Sequence, residues 1–211
     1  MQIVQNNNLV TLSGKIISDF TFSHKVYDES FFNFTLSIPR LSAAADEIIV
    51  TVAEQLLFGK DIKPQDEIAV NGQFRSYNNY SNVGNKLILT VFAKEVLPFS
   101  ENYTAEPIYE NEINLSGFVC KPPVYRTTPF GREISDLLIA VNRTYNKSDY
   151  IPCIAWGRNA KYAGTLKVGD KVEINGRIQS RNYQKKTENE EIITKVAYEV
   201  SISKIAPAEA E

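Results

Sequence analysis

The chain is one pattern written twice. Asn71-Gly72-Gln73-Phe74-Arg75-Ser76 recurs as Asn175-Gly176-Arg177-Ile178-Gln179-Ser180, and Val10-Thr11-Leu12-Ser13-Gly14 recurs as Ile113-Asn114-Leu115-Ser116-Gly117. An alternating run leads into each Asn-Gly, Asp66 to Val70 in one copy and Asp170 to Ile174 in the other. Landmarks in the same order, about a hundred residues apart, mark an internal repeat, and a repeat fixes the folding unit before anything else is read. The 211 residues then divide into two domains of about 95 residues, near the lower end of ordinary domain size. The first spans 1–97 and the second 113–205, joined by 98–112 and followed by 206–211. Wherever the copies differ, one can keep a function that the other has lost.

Several classes are excluded early. The two cysteines, Cys120 and Cys153, form no Cys-x-x-Cys, and His24 is the single histidine. A zinc site or a disulfide framework is therefore not expected, and apolar strand cysteines are the plain reading. No stretch approaches the ~18 apolar residues of a membrane span. The start, Met1 to Asn8, has neither a basic n-region nor an apolar h-region, so no secretory signal is expected and the chain reads as soluble and cytoplasmic. His24 has no Ser, Cys or Asp partner at a meaningful spacing, and no Gly-rich phosphate loop or carboxylate cluster is present. No catalytic residue, metal or other cofactor is assigned, and the chain does not read as an enzyme.

Net charge is −2, which taken alone argues against a nucleic-acid partner. The average hides an asymmetry. Residues 1–97 hold eight Lys and Arg against ten Asp and Glu, while 113–205 hold fifteen against nine. The joining segment carries four Glu and no base. A basic half in an acidic chain points to an anionic partner for that half.

Alternation dominates both copies. Phe32 to Ile38 has period two, the mark of a half-buried strand, and Lys86 to Ala93 is apolar and β-rich. Ile134 to Val141 and Ile192 to Ile205 play the matching parts in the second copy. Asn-Gly and other Gly-bearing turns are expected to separate the runs. Each copy has one candidate helix, Ala53 to Phe58 stopped by Gly59 and Arg158 to Ala163 stopped by Gly164. Five strands with a helix between the third and fourth is the layout of the OB fold, a Greek-key barrel. The predicted class is thus all-β, two tandem OB folds. The polar, Pro-flanked segment 98–112 reads as an acidic linker, and 206–211 as a disordered tail.

Copy two interleaves aromatics with bases. Arg143, Tyr145 and Lys147 lead to Tyr150 and then Trp156-Gly157-Arg158, followed by Arg177, Arg181-Asn182-Tyr183 and Lys185-Lys186. Single-stranded nucleic acid needs a positive groove along its phosphates and flat faces for its unstacked bases, each worth ~1–3 kcal/mol by truncation. Any one Tyr or Trp can equally pad a barrel. Alternation puts Ile154 and Trp156 on one face and Ile151 and Cys153 on the other, so which of the two is the core stays open from sequence. Four aromatics with flanking bases favour the binding surface.

These residues resemble the bacterial single-stranded DNA-binding protein family over nearly the whole second copy. Pro122 to Gly131 looks like that family's first hairpin, Ile139 to Arg143 like its second strand, Tyr150 to Arg158 like its third, and Val168 to Tyr183 like its fourth strand with the following aromatic. The resemblance implies stacking by Tyr145, Tyr150, Trp156 and Tyr183. Copy one places Ser42 or a neighbour, Glu47, Ala53 and Asn79 at those positions, and so reads as degenerate for nucleic acid. It keeps Arg75, Tyr77 and Tyr80 at its last hairpin, which leaves residual contact open. Phe20, Phe22, Phe31, Phe32 and Phe34 read as core or interface. The family's acidic tip closed by Pro-Phe has no counterpart in Glu209-Ala210-Glu211, which puts recruitment by that route in doubt.

The resulting expectation is sequence-tolerant binding of single-stranded DNA in replication, recombination or repair. Arg126, Arg143, Arg158, Arg181, Lys185 and Lys186 would meet phosphates. RNA stays open as a ligand, because stacking does not read the 2′-hydroxyl. Four OB domains commonly act together in this family, which implies a homodimer of this two-domain chain, with replication and repair proteins as further partners and no membrane. The alternative is an OB-fold accessory or scaffold protein of a replication or mobile-element complex acting through protein contacts. An OB-fold nuclease would need carboxylates that the sequence lacks.

Overall fold

The computed structural model describes residues 7–81, 84–99, 109–186 and 192–208. The first repeat supplies β1 (Asn8–Ile16), β2 (Thr21–Val26), β3 (Glu29–Pro39), β4 (Ala45–Ala53), α1 (Glu54–Leu57), β5 (Glu67–Ser81) and β6 (Gly84–Pro98). The second supplies β7 (Asn111–Val119), β8 (Val124–Thr127), β9 (Glu133–Arg143), β10 (Lys147–Trp156), α2 (Arg158–Ala163), β11 (Lys171–Lys186) and β12 (Ile192–Pro207). Both helices sit where the sequence places them. Each repeat closes a barrel of five strands, with β2 or β8 added as a short flap. Closure in the first comes from β1 against β3 at Lys15↔Ser37 and from the parallel pair β4–β6 at Val50↔Val91. The second repeats this with Phe118↔Ala140 and Cys153↔Val200. Among the described residues no helix is long and apolar enough to cross a membrane.

The Asn-Gly landmarks are not turns. Asn71-Gly72 and Asn175-Gly176 lie inside β5 and β11, each at a register shift against its neighbour. A β-bulge bends the strand around the barrel, and glycine is needed because the chains come close. A Cβ on Gly72 would lie 2.4 Å from the Phe92 carbonyl oxygen, and one on Gly176 2.4 Å from that of Ser201. Sequence spacing located the landmark correctly and misread its geometry. Two boundaries also move: Asn111 and Glu112 already belong to β7, and Ala206 and Pro207 complete β12 rather than starting a tail. Residues 209–211 lie outside those described.

Each core is built from one face of the alternating strands. Val10, Leu12, Leu36, Val50, Val70 and Phe74 fill the first barrel, and Ile113, Leu115, Ile139, Ile151, Ile174 and Ile178 the second. Phe34 joins the core, Phe20 and Phe32 pack against it, and Phe22 stays exposed.

The barrels are joined by strand pairing and by two buried aspartates. β1 pairs antiparallel with β7 from Asn8↔Leu115 to Leu12↔Asn111, so one sheet of twelve strands runs through the molecule. Asp46 on β4 accepts the Ser180 N–H of the other repeat at 3.0 Å, and Asp149 on β10 accepts the Ser76 N–H at 2.8 Å. The two serines reciprocate: Ser180 Oγ accepts the Glu47 N–H at 2.9 Å, and Ser76 Oγ accepts the Tyr150 N–H at 2.7 Å.

The two aspartates are unequally satisfied. Asp46 has Arg40 on both oxygens and Arg177 at 2.6 Å. Asp149 has one ion-pair partner, Arg143 at 3.2 Å, and its Oδ2 is buried without a hydrogen-bond partner among the described residues. Burial raises the Asp149 pKa above its ordinary value, against the opposing pull of the Ser76 N–H and the nearby arginines. Removing one member of a buried ion pair costs about 3–5 kcal/mol, so Asp46→Asn is expected to lose that much in denaturant unfolding at pH 7. Asp149→Asn keeps the acceptor for Ser76 and sheds a poorly compensated charge, so its loss is much smaller. A raised carboxyl pKa favours folding while the group is protonated, and that contribution is lost as pH rises through the folded-state value. The stability of the wild type relative to Asp149→Asn therefore falls with rising pH across that range and levels off above it. An Asp149→Asn loss as large as that of Asp46→Asn would contradict this ranking.

Candidate nucleic-acid interface

β10 settles which of its faces is core. Ile151, Cys153 and Ala155 are buried in the barrel, so Tyr150, Pro152, Ile154 and Trp156 belong to the outer side. Burial pushes the Cys153 thiol strongly up, and Cys120 is raised for the same reason. Both cysteines are free, and neither is poised as a thiolate.

Register carries the outer face across the neighbouring strands, because directly opposed residues project to the same side. Trp156 opposes Ile134 on β9, which opposes Arg126 on β8. Tyr150 opposes Ala140. Across the parallel pair, Ile154 meets Ser201 on β12. Along β11, Arg177, Gln179, Arg181 and Tyr183 oppose Ser201, Glu199, Ala197 and Lys195. One continuous sheet face thus holds Tyr150, Trp156, Tyr183, Arg126 and Arg181. The three rings are 46%, 38% and 38% exposed, which leaves each with a side on the sheet and a side toward solvent. After Trp156 the chain turns through Gly157 at φ 54, a conformation that disfavours a side chain, and enters α2 with Arg158 exposed.

The arginines on this face are held by exposed carboxylates. Arg126 Nε lies 2.9 Å from Asp136, and Arg181 Nε 3.6 Å from Glu199, which also accepts Gln179 Nε2 at 2.6 Å. Surface pairs of this kind are worth about 0–1 kcal/mol, so an incoming phosphate can take the guanidinium over at small cost.

Other predicted residues go elsewhere. Tyr145 stands at the tip of the β9–β10 hairpin, 83% exposed, with φ 61 in a single 3-10 turn. Arg143 turns away to Asp149 and lines a groove on the first barrel, so it does not join Tyr150 and Trp156. The side chains of Lys185 and Lys186 lie outside those described. The degenerate positions of the first repeat are structurally equivalent to the stacking ones. Glu47 opposes Ser37 as Tyr150 opposes Ala140, and Ala53 opposes Phe31 as Trp156 opposes Ile134.

Sequence reasoning missed Asp46, Asp149, Ser76 and Ser180, whose partners lie more than seventy residues away. It also missed that Phe31, Phe92 and His24 meet on one face of the first barrel. Only the repeat itself could have flagged the serines, since Ser76 and Ser180 close the same motif. Among the described residues no cluster of His, Cys, Asp and Glu could hold a metal ion.

Comparison with known proteins agrees with this geometry. Residues 110–205 match the single-strand binding protein family. The chain is 34% identical over 96 residues to single-stranded DNA-binding protein A of Bacillus subtilis, covering 42% of this chain and 56% of that one. It is 32% identical over 108 residues to single-stranded DNA-binding protein 1 of Staphylococcus aureus, covering 48% and 64%. It spans a little over half the length of these relatives. In three dimensions it resembles the single-stranded DNA binding protein from Thermus aquaticus at a TM-score of 0.77, over 97% of this chain and 94% of that one, with 17% identity. That likeness shows the fold across both repeats, while the sequence match falls on the second. The chain is a tandem OB-fold member of the single-strand binding protein family, with the family's sequence pattern carried by its second repeat.

Proposed function

We propose that the chain binds single-stranded DNA without strong sequence preference, chiefly through the outer sheet face of the second repeat. The observation that carries this reading is the placement of Tyr150, Trp156 and Tyr183, each half-exposed, on one continuous face with Arg126 and Arg181. Bases stack on the rings and phosphates take the guanidinium groups, with Arg158 and the Lys185-Lys186 pair extending the basic track and Tyr145 capping the strand from its hairpin tip. A homodimer would assemble four barrels around the strand, in replication, recombination or repair. The relatives named above, which are single-stranded DNA-binding proteins, support the ligand class.

Fluorescence anisotropy of labelled oligo(dT) tests it directly. Losing two stacking rings costs about 2–6 kcal/mol, so Tyr150→Ala with Trp156→Ala is expected to weaken binding by that amount. Glu47→Ala is expected to leave binding unchanged, and a loss there as large as that of the double variant would refute the asymmetry. Duplex DNA should bind far more weakly than the single strand.

Phosphate contacts set the salt dependence. For single strands the slope of log K against log salt is about −0.7 per phosphate neutralised. Arg158→Ala is therefore expected to make the slope shallower by about 0.7 while the protein stays folded. An unchanged slope would remove Arg158 from the phosphate track.

A further inference from the structure

The outer face of the first barrel has been refilled, not emptied. The positions equivalent to Tyr150 and Trp156 carry Glu47 and Ala53, yet the strands beside them present a row of flat groups. His24 on β2 stacks on Phe31 of β3, with ring centroids 4.7 Å apart and planes 6° from parallel. Phe31 meets Phe92 of β6 at 5.5 Å. The Arg75 guanidinium of β5 lies over Phe92 at 4.7 Å. Phe22 and Tyr77, 63% and 46% exposed, stand at the rims. Between them runs a groove of about 650 Å³, lined also by Asn33, Thr51 and Thr90, with no Asp or Glu in its walls.

The second repeat completes this groove. Arg143 crosses to line it, and Arg75 Nε is buried without a hydrogen-bond partner among the described residues. The two guanidinium groups feel each other: burial first, and then the Arg143 charge, lower the Arg75 pKa. Two like charges at one groove with no carboxylate in its walls suit an anion. The groove is also continuous with the stacking face, because Ser76 in its wall is hydrogen-bonded to the Tyr150 backbone at 2.7 Å.

We infer that this groove is a second single-strand site: a strand leaving Tyr150 continues past Ser76, sets a phosphate between Arg75 and Arg143, and stacks its bases against Tyr77 and Phe22. The inference rests on the reading of the second repeat. It adds a set of contacts at positions other than those by which that repeat was recognised. Its consequence is that both repeats contribute to binding a long strand, whereas a short one is held by the second repeat alone.

The test compares Phe22→Ala/Tyr77→Ala with wild type on oligo(dT) of about 8 nucleotides, within the footprint of a single OB fold, and of about 35. Both side chains are exposed, so circular dichroism should show an unchanged fold. Affinity for the long strand is expected to fall at least about tenfold, and affinity for the short strand to stay within about twofold. The variant Phe22→Tyr/Tyr77→Phe, which keeps both rings, is expected to bind the long strand as wild type does. Unchanged long-strand affinity in the alanine variant would overturn the inference, as would an equal loss at both lengths. If Tyr150→Ala/Trp156→Ala leaves short-strand binding intact, the parent reading fails instead. Wild type binding neither length would sink both.

Discussion

The geometry of this protein depends on two buried carboxylates that each reach into the other repeat. Asp46 and Asp149 accept the N–H groups of Ser180 and Ser76, and those serines accept N–H groups from Glu47 and Tyr150 in return. Strand pairing between β1 and β7 alone would leave the barrels free to twist about a shared edge. The reciprocal bonds fix that angle, because a buried aspartate that loses its donors costs far more than an exposed one. They also tie the backbone of Tyr150, a stacking residue of one barrel, to the groove wall of the other.

The copies use the same slots differently. Gln73-Phe74-Arg75 in β5 corresponds to Arg177-Ile178-Gln179 in β11, so amide and guanidinium have exchanged places. In each strand the pair still bonds to itself, Arg75 to Gln73 at 2.7 Å and Arg177 to Gln179 at 3.1 Å. The exchange decides where the charge goes. Arg177 reaches Asp46 at 2.6 Å and is used up in the interface. Arg75 lies over Phe92 instead and faces the groove. Asp149 keeps one arginine as ion-pair partner and an unpaired oxygen, so the clasp beside the groove is the less satisfied of the two.

Much of this was legible in the sequence. Alternation located β3 and β6, the Gly59 and Gly164 stops bracketed both helices, and the aromatic spacing in β10 and β11 found the stacking face. What failed was whatever depends on a distant chain. Gly72 reads as a turn until the Phe92 carbonyl is seen 2.4 Å from where its Cβ would be. Arg143 reads with Tyr145 and Tyr150 because it is near them in sequence, but its carboxylate partner pulls it onto the other barrel. The core face of β10 was undecidable locally, since Ile154 is also nearly buried, at 6% exposed, on the outer side.

Charge shows most plainly why a whole-domain count misleads. The first repeat is acidic and the second basic by composition, yet the two equivalent sheet faces reverse that order. Asp136 and Glu199 sit on the face of the second repeat, each holding an arginine. The acidic groups of the first repeat are spent elsewhere: Asp46 is buried in the interface, Glu67 accepts the Tyr109 hydroxyl, Asp66 accepts the Lys63 N–H, and Glu95 binds Asn71. None of them lines the groove. Exposed charges are screened over about 10 Å at ordinary salt, so a strand lying on a sheet face feels that face and not the domain average. An acidic domain can therefore present a cationic, aromatic groove, and the acidity that made the first repeat look silent is compatible with a place in the path of the strand.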